Sequence, residues 1–263
     1  VSYVEIAKVL GAQPIEVPGR ADCGPDLAAL EAALTPRTRA VLINTPCNPS
    51  GYVWDRAELE SLVAFCESYG LWIVSDEIYR RLTYGEREFV SPASLGAAGR
   101  RRTVIVDGAS KTFAMTGYRI GFAAGPAEVA AGIARLHSQL TGSPNAVSQA
   151  AYAAVLESEP PEVAEMVERY RRRRDMLVTG LRRLGLDLPT PQGAFYAFPD
   201  VAAHLSGKAD SRAFCERLLE EHGVVLVPGI AFGAPTRVRF SYALDDERIE
   251  QAVERLGAFL GGP

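Results

Sequence analysis

Apolar and polar positions change their period along this chain, and the changes mark out elements. Residues 39–44, 71–75, 103–107 and 120–124 are short apolar runs, mostly rich in β-branched residues and bounded by Gly, Pro, Asn or Asp. That pattern predicts buried strands. Between the first two, residues 56–69 repeat apolar positions at helical spacing. Asp55 stands where an N-cap belongs, Glu58 completes a capping box, and Gly70 marks the end. Residues 127–140 carry the same period behind Pro126, a residue suited to a helix start. Strands alternating with helices predict an α/β fold, a mainly parallel sheet with helices on both faces. The charged amphipathic stretch 161–184 predicts one long helix joining two lobes. Beyond it the runs shorten, with strands at 195–198, 224–227 and 237–242 and helices at 211–222 and 245–260. We therefore expect a large domain over 1–160, a connecting helix over 161–184 and a smaller α+β domain over 185–263.

Composition narrows the function classes. A chain of 263 residues, 48% hydrophobic, can bury a large core. Its formal net charge of -4 and scattered basic residues supply no stripe for a phosphate backbone, so no nucleic-acid partner is expected. The run Arg171 to Arg174 sits among Glu162, Glu165 and Glu168, which predicts a solvated, ion-paired helix face. Cys23, Cys47, Cys66 and Cys215 are widely spaced with no CxxC pair. That spacing argues against a metal site or a disulfide framework and fits a reducing cytoplasm. No stretch is long and apolar enough to span a bilayer and no basic-then-apolar leader is present, so no membrane partner is expected.

Chemistry-bearing residues collect where the strands end. Ligands of open parallel sheets bind beyond the carboxyl ends of the strands. Asn48 follows the first run, Asp76 and Tyr79 follow the second, and Ser110 and Lys111 follow the third, with Arg119 eight residues after the lysine. Each has a plain reading alone: a turn asparagine, a capping aspartate, a core tyrosine, a surface lysine or arginine. Together they meet the demands of pyridoxal 5'-phosphate. A carboxylate such as Asp76 would keep the ring nitrogen protonated, and Asn48 and Tyr79 could donate to the phenolic oxygen. Arg119 would clamp the phosphate with help from Ser110. A lysine partly buried beside another cation is neutral often enough to attack a carbonyl, which suits Lys111.

The segments Asn44-Thr45-Pro46-Cys47-Asn48-Pro49-Ser50-Gly51, Ser75-Asp76-Glu77-Ile78-Tyr79 and Ser110 to Gly121 resemble those of class I/II aminotransferases, the fold type I pyridoxal-phosphate enzymes. Within that family the likeness is to the prokaryotic aspartate aminotransferase branch. Pro191-Gln192-Gly193-Ala194-Phe195-Tyr196, Pro228 to Gly233 and Val238 to Ala243 are similar to the small-domain motifs in the same order. The resemblance implies that Lys111 is the Schiff-base lysine, Asp76 the pyridine partner, Asn48 and Tyr79 the phenolate ligands and Arg119 the phosphate arginine. It further implies that Arg239 holds the substrate α-carboxylate, that the substrates are an amino acid and a 2-oxo acid, and that the protein is a homodimer. Ser138 to Asn145 resembles the aspartate-accepting branch. Many members have a serine where this chain has Gly108, and the family's N-terminal part, with a phosphate-binding loop and a ring-stacking aromatic, has no counterpart in this sequence. Open alternatives are another fold type I enzyme such as a carbon–sulfur lyase or decarboxylase, the effector domain of a transcriptional regulator, and a fragment that holds cofactor poorly.

Overall fold

A computed structural model describes residues 2–85, 87–205 and 209–261. Helices α1 (Ser2–Val9) and α2 (Leu27–Ala32) come first, followed by β1 (Ala40–Asn44), α3 (Arg56–Ser68) and β2 (Trp72–Asp76). Next are α4 (Gly96–Arg102), β3 (Thr103–Gly108), the single turn α5 (Ala109–Thr112) and β4 (Gly121–Ala124). The four strands form one sheet in the order β1-β2-β3-β4. The first three are parallel, and β4 runs antiparallel to β3. Asn44 lies opposite Asp76 and Asp76 opposite Val106, so the polar strand ends share one rim.

Capping explains why α3 starts where it does. The Asp55 carboxylate accepts from the Glu58 N–H at 2.8 Å, and the Glu58 carboxylate accepts from the Asp55 N–H at 2.9 Å. The helix then lays Leu59, Leu62, Val63 and Cys66 against Val41, Ile43 and Ile73. That covers one face of the sheet. On the other face Leu42 and Val106 remain 44% and 40% exposed, and all four residues of β4 are exposed.

Three helices follow: α6 (Ala127–Leu140), α7 (Ala146–Glu157) and α8 (Glu162–Arg183), of which α8 packs into the second layer. The long helix α8 falls within one residue of its predicted span at each end. Beyond it come β5 (Tyr196–Ala197), α9 (Ser211–His222), β6 (Val227–Pro228), β7 (Val238–Ser241) and α10 (Asp246–Phe259). The three strands form an antiparallel sheet in the order β5-β7-β6. Of the strand predicted over 224–227, only Val227 pairs. The α9 C-cap Gly223 is left-handed (φ 68°), and Val224 turns into the core instead of entering the sheet. This second core, with Leu177, Leu181, Phe214, Leu218, Val238 and Leu256, also takes in Tyr79, Leu82 and Tyr84 from just after β2.

The arginine run is more varied than a solvated face. Arg171 pairs along its own helix with Glu168 at 2.6 Å, whereas Arg172 and Arg173 reach across to Asp246 of α10, both at 2.8 Å. Arg174 lies over the Tyr84 ring at 5.1 Å and donates to the Pro191 carbonyl.

Candidate active site

The loop after β1 is tied back onto its own strand. The Asn44 amide donates to the Asp76 carbonyl at 3.1 Å, and its oxygen accepts the Asn48 N–H at 2.7 Å. This turn delivers the Asn48 side chain, whose Oδ1 accepts from Arg239 Nη1 at 2.8 Å. A residue from the first sheet's rim and one from β7 therefore meet directly, although 191 positions separate them.

Segment 191–196 seals the junction. The Gln192 and Gly193 N–H groups both donate to the Gly51 carbonyl, and the Ala194 N–H donates to the Leu82 carbonyl at 2.8 Å. A Cβ on Gly193 would lie 2.7 Å from both the Leu82 oxygen and the Pro46 side chain, so only glycine fits between these backbones. Phe195 and Tyr196 emerge beside it. The Tyr79 and Tyr196 hydroxyls share a hydrogen bond of 3.0 Å, and the Tyr79 ring meets both aromatic neighbours edge-on. Burial first, then Tyr196, pushes the Tyr79 phenol far above its ordinary pKa, so it stays protonated.

Arg239 is held flat against aromatic faces. Its guanidinium carbon lies 4.5 Å from the Tyr196 ring centre and 5.3 Å from that of Phe232. Its Nε is buried and has no hydrogen-bond partner among the described residues. A buried guanidinium edge lacking an acceptor is an unmet demand for an anion, and a carboxylate matches its fork.

Lys111 lies within α5, one turn beyond β3 and not at the strand end itself. The half-buried amine lies 5.7 Å from the Phe195 ring centre. Desolvation, then the charges of Arg119 and Arg239, lower its pKa. Ser110 precedes it on the same turn. Arg119 takes a left-handed backbone (φ 50°), is exposed, and donates from Nη1 to the Thr116 carbonyl at 3.2 Å. A side chain at position 108 is ruled out on this backbone, since a Cβ there would lie 2.8 Å from the Ile120 oxygen.

Asp76 accepts from the Ile78 N–H through Oδ1 at 3.0 Å and from the Tyr3 hydroxyl through Oδ2. Lys111, Tyr79 and Arg239 are linked through Phe195 and Tyr196, Asn48 joins them through Arg239, and the Asp76 charge acts on the Tyr79 phenol. Tyr3 and the Tyr196 hydroxyl carry no signal in the local sequence pattern; Tyr196 is visible only as part of the resemblance motif. All four cysteines are free. Among the described residues no helix is long and apolar enough to cross a membrane.

A mostly parallel α/β sheet with a lysine just past a central strand and an aspartate at the end of the neighbouring strand has the layout of the fold type I class. Comparison with known proteins agrees. The family described as "Aminotransferase class I and II" matches residues 1–256. The aspartate aminotransferase of Geobacillus stearothermophilus is 40% identical over 265 residues, covering 99% of this chain and 67% of the relative. The aspartate/prephenate aminotransferase of Thermus thermophilus is 42% identical over 266 residues, with the same coverage of 99% and 67%. The solved aromatic aminotransferase of Pyrococcus horikoshii superposes with a TM-score of 0.93 at 37% identity, covering 99% of this chain and 70% of that one. The chain belongs to the class I and II aminotransferase family, and it spans about two thirds of the length of the curated relatives it matches.

Proposed function

We propose that the chain carries the catalytic lysine and substrate-carboxylate site of a pyridoxal-phosphate-dependent aminotransferase, which moves an amino group from an L-amino acid to a 2-oxo acid. The observation that carries this reading is the desolvated Lys111 amine beside Arg239, a guanidinium pressed between aromatic rings with an unpartnered buried Nε. The residues fit the cofactor: an amine to anchor it, a carboxylate for its ring nitrogen, donors for its phenolic oxygen, and a guanidinium and a hydroxyl for its phosphate. When bound, pyridoxal 5'-phosphate supplies the carbonyl that carries the amino group and an electron sink for the α-carbon.

The protein's own groups do the rest. Lys111 Nζ, its proton affinity lowered, would anchor the cofactor and would be the base that takes the proton from the substrate α-carbon. Asp76 holds the ring-nitrogen proton. Asn48 and the protonated Tyr79 serve the phenolic oxygen, while Arg119 and Ser110 serve the phosphate. Arg239 fixes the α-carboxylate and, with Asn48 held against it, fixes which α-bond faces the ring, an orientation effect. The names of the aspartate-using relatives and the likeness of residues 138–145 support a dicarboxylic amino donor. Exposed Ile133, Leu136 and Leu140 along α6 support self-association, in line with a homodimer.

Purified chain mixed with pyridoxal 5'-phosphate should develop a visible absorbance band, and Lys111→Ala should abolish both the band and amino transfer from aspartate to a 2-oxo acid. Retained transfer in Lys111→Ala would sink the assignment. A keto product formed without consumption of the 2-oxo acid would point to a lyase instead.

A further inference from the structure

The carboxylate at the end of β2 has a partner from the far end of the chain. Tyr3 lies on α1, and its hydroxyl donates to Asp76 Oδ2 across 73 positions. Tyr3 as a whole is 39% exposed, while its hydroxyl end is turned inward onto the carboxylate. Asp76 Oδ1 is engaged separately by the Ile78 N–H at 3.0 Å.

We propose that Tyr3 is a positioning residue for Asp76, its hydroxyl and the Ile78 N–H fixing the two carboxylate oxygens so that the plane of the group is set toward a ring nitrogen. The assignment rests on the cofactor reading above. An ionised carboxylate offers about four acceptor sites, so two donors leave capacity for a third. Without Tyr3 the group would hang on one backbone donor and turn about its own bond. The phenol is suited to the task. Burial, then the Asp76 charge, raise its pKa, so it remains a donor at every working pH. Cys47, Tyr79 and Asp107 also sense the Asp76 charge, and among the described residues none of these three donates to its carboxylate.

Tyr3→Phe keeps the ring and removes only the hydroxyl. In cofactor-free protein, a double-mutant cycle with Asp76→Asn followed by urea denaturation reads the contact itself. Tyr3→Phe should lower the unfolding equilibrium's bias toward the folded state roughly tenfold in wild type and much less in the Asp76→Asn background, the size expected for one hydrogen bond to a charge. Additive effects would overturn the proposal. With pyridoxal 5'-phosphate added, Tyr3→Phe should weaken its binding several-fold and move the pH midpoint of the visible band upward, because a carboxylate no longer held toward the ring stabilises the ring-nitrogen proton less. Tighter binding in Tyr3→Phe would mean that the phenol merely occupies the ring's place, and an unmoved midpoint would mean that it does not tune Asp76; either overturns the proposal. A wild-type chain with no Lys111-dependent band removes the cofactor reading, and the purpose assigned to Tyr3 with it, whatever the cycle gives.

Discussion

A lysine amine held out of water beside two guanidinium groups opposes folding as long as it is charged. Lys111 has a lowered proton affinity in the folded chain, through desolvation first and then Arg119 and Arg239. Below that lowered value both folded and unfolded chains are protonated and the penalty is complete. As pH rises from there toward the unfolded lysine's value, the unfolded chain binds more protons and stability increases. Lys111→Met should therefore unfold at a higher temperature than wild type at pH 7, with the gap narrowing at pH 10. A gap independent of pH would assign the gain to packing alone. Residue chemistry was readable where it clustered at strand ends, as with Asn48, Asp76, Tyr79 and Lys111. Arg239 looks like an ordinary strand charge in sequence, and only the family resemblance singled it out. Tyr3 and the Tyr196 hydroxyl act through contacts spanning 73 and 117 positions, and no local period records such a pairing.

At the scale of elements, the strongest sequence signals were reciprocal ones. Asp55 and Glu58 satisfy each other's backbone at the start of α3, and α3 is the helix that roofs the first sheet's core. Asp55→Ala should destabilise the chain by about 1 kcal/mol, the usual size of a lost N-cap, measured as a lower urea midpoint at unchanged slope. Long amphipathic helices such as α8 and α10 were legible because many turns repeat one pattern. The strand β6 was not, since a pairing only two residues long leaves no period to read, and its place is set by β7. The turn α5 was missed for a related reason: four residues after a strand read equally well as a loop.

At the scale of the molecule, the two faces of the first sheet are unequal. Leu42 and Val106 lie bare on the face opposite α3, and β4 forms an exposed sheet edge. Parallel sheets normally have both faces covered, and an open edge offers unpaired backbone groups to other chains. The isolated chain should bind a hydrophobic dye and scatter light increasingly with concentration, and replacing Leu42 and Val106 together by Thr should reduce both signals. An unchanged pair of signals would clear this face. The seam between the two cores has another consequence. Tyr79 departs from the first sheet only three residues after Asp76, yet its ring is packed in the second core and its hydroxyl is moored to Tyr196. Any fluctuation that parts the cores has to break the Tyr79–Tyr196 hydrogen bond or drag the Tyr79 ring out of the second core. Tyr79 thus works as a rivet through both halves.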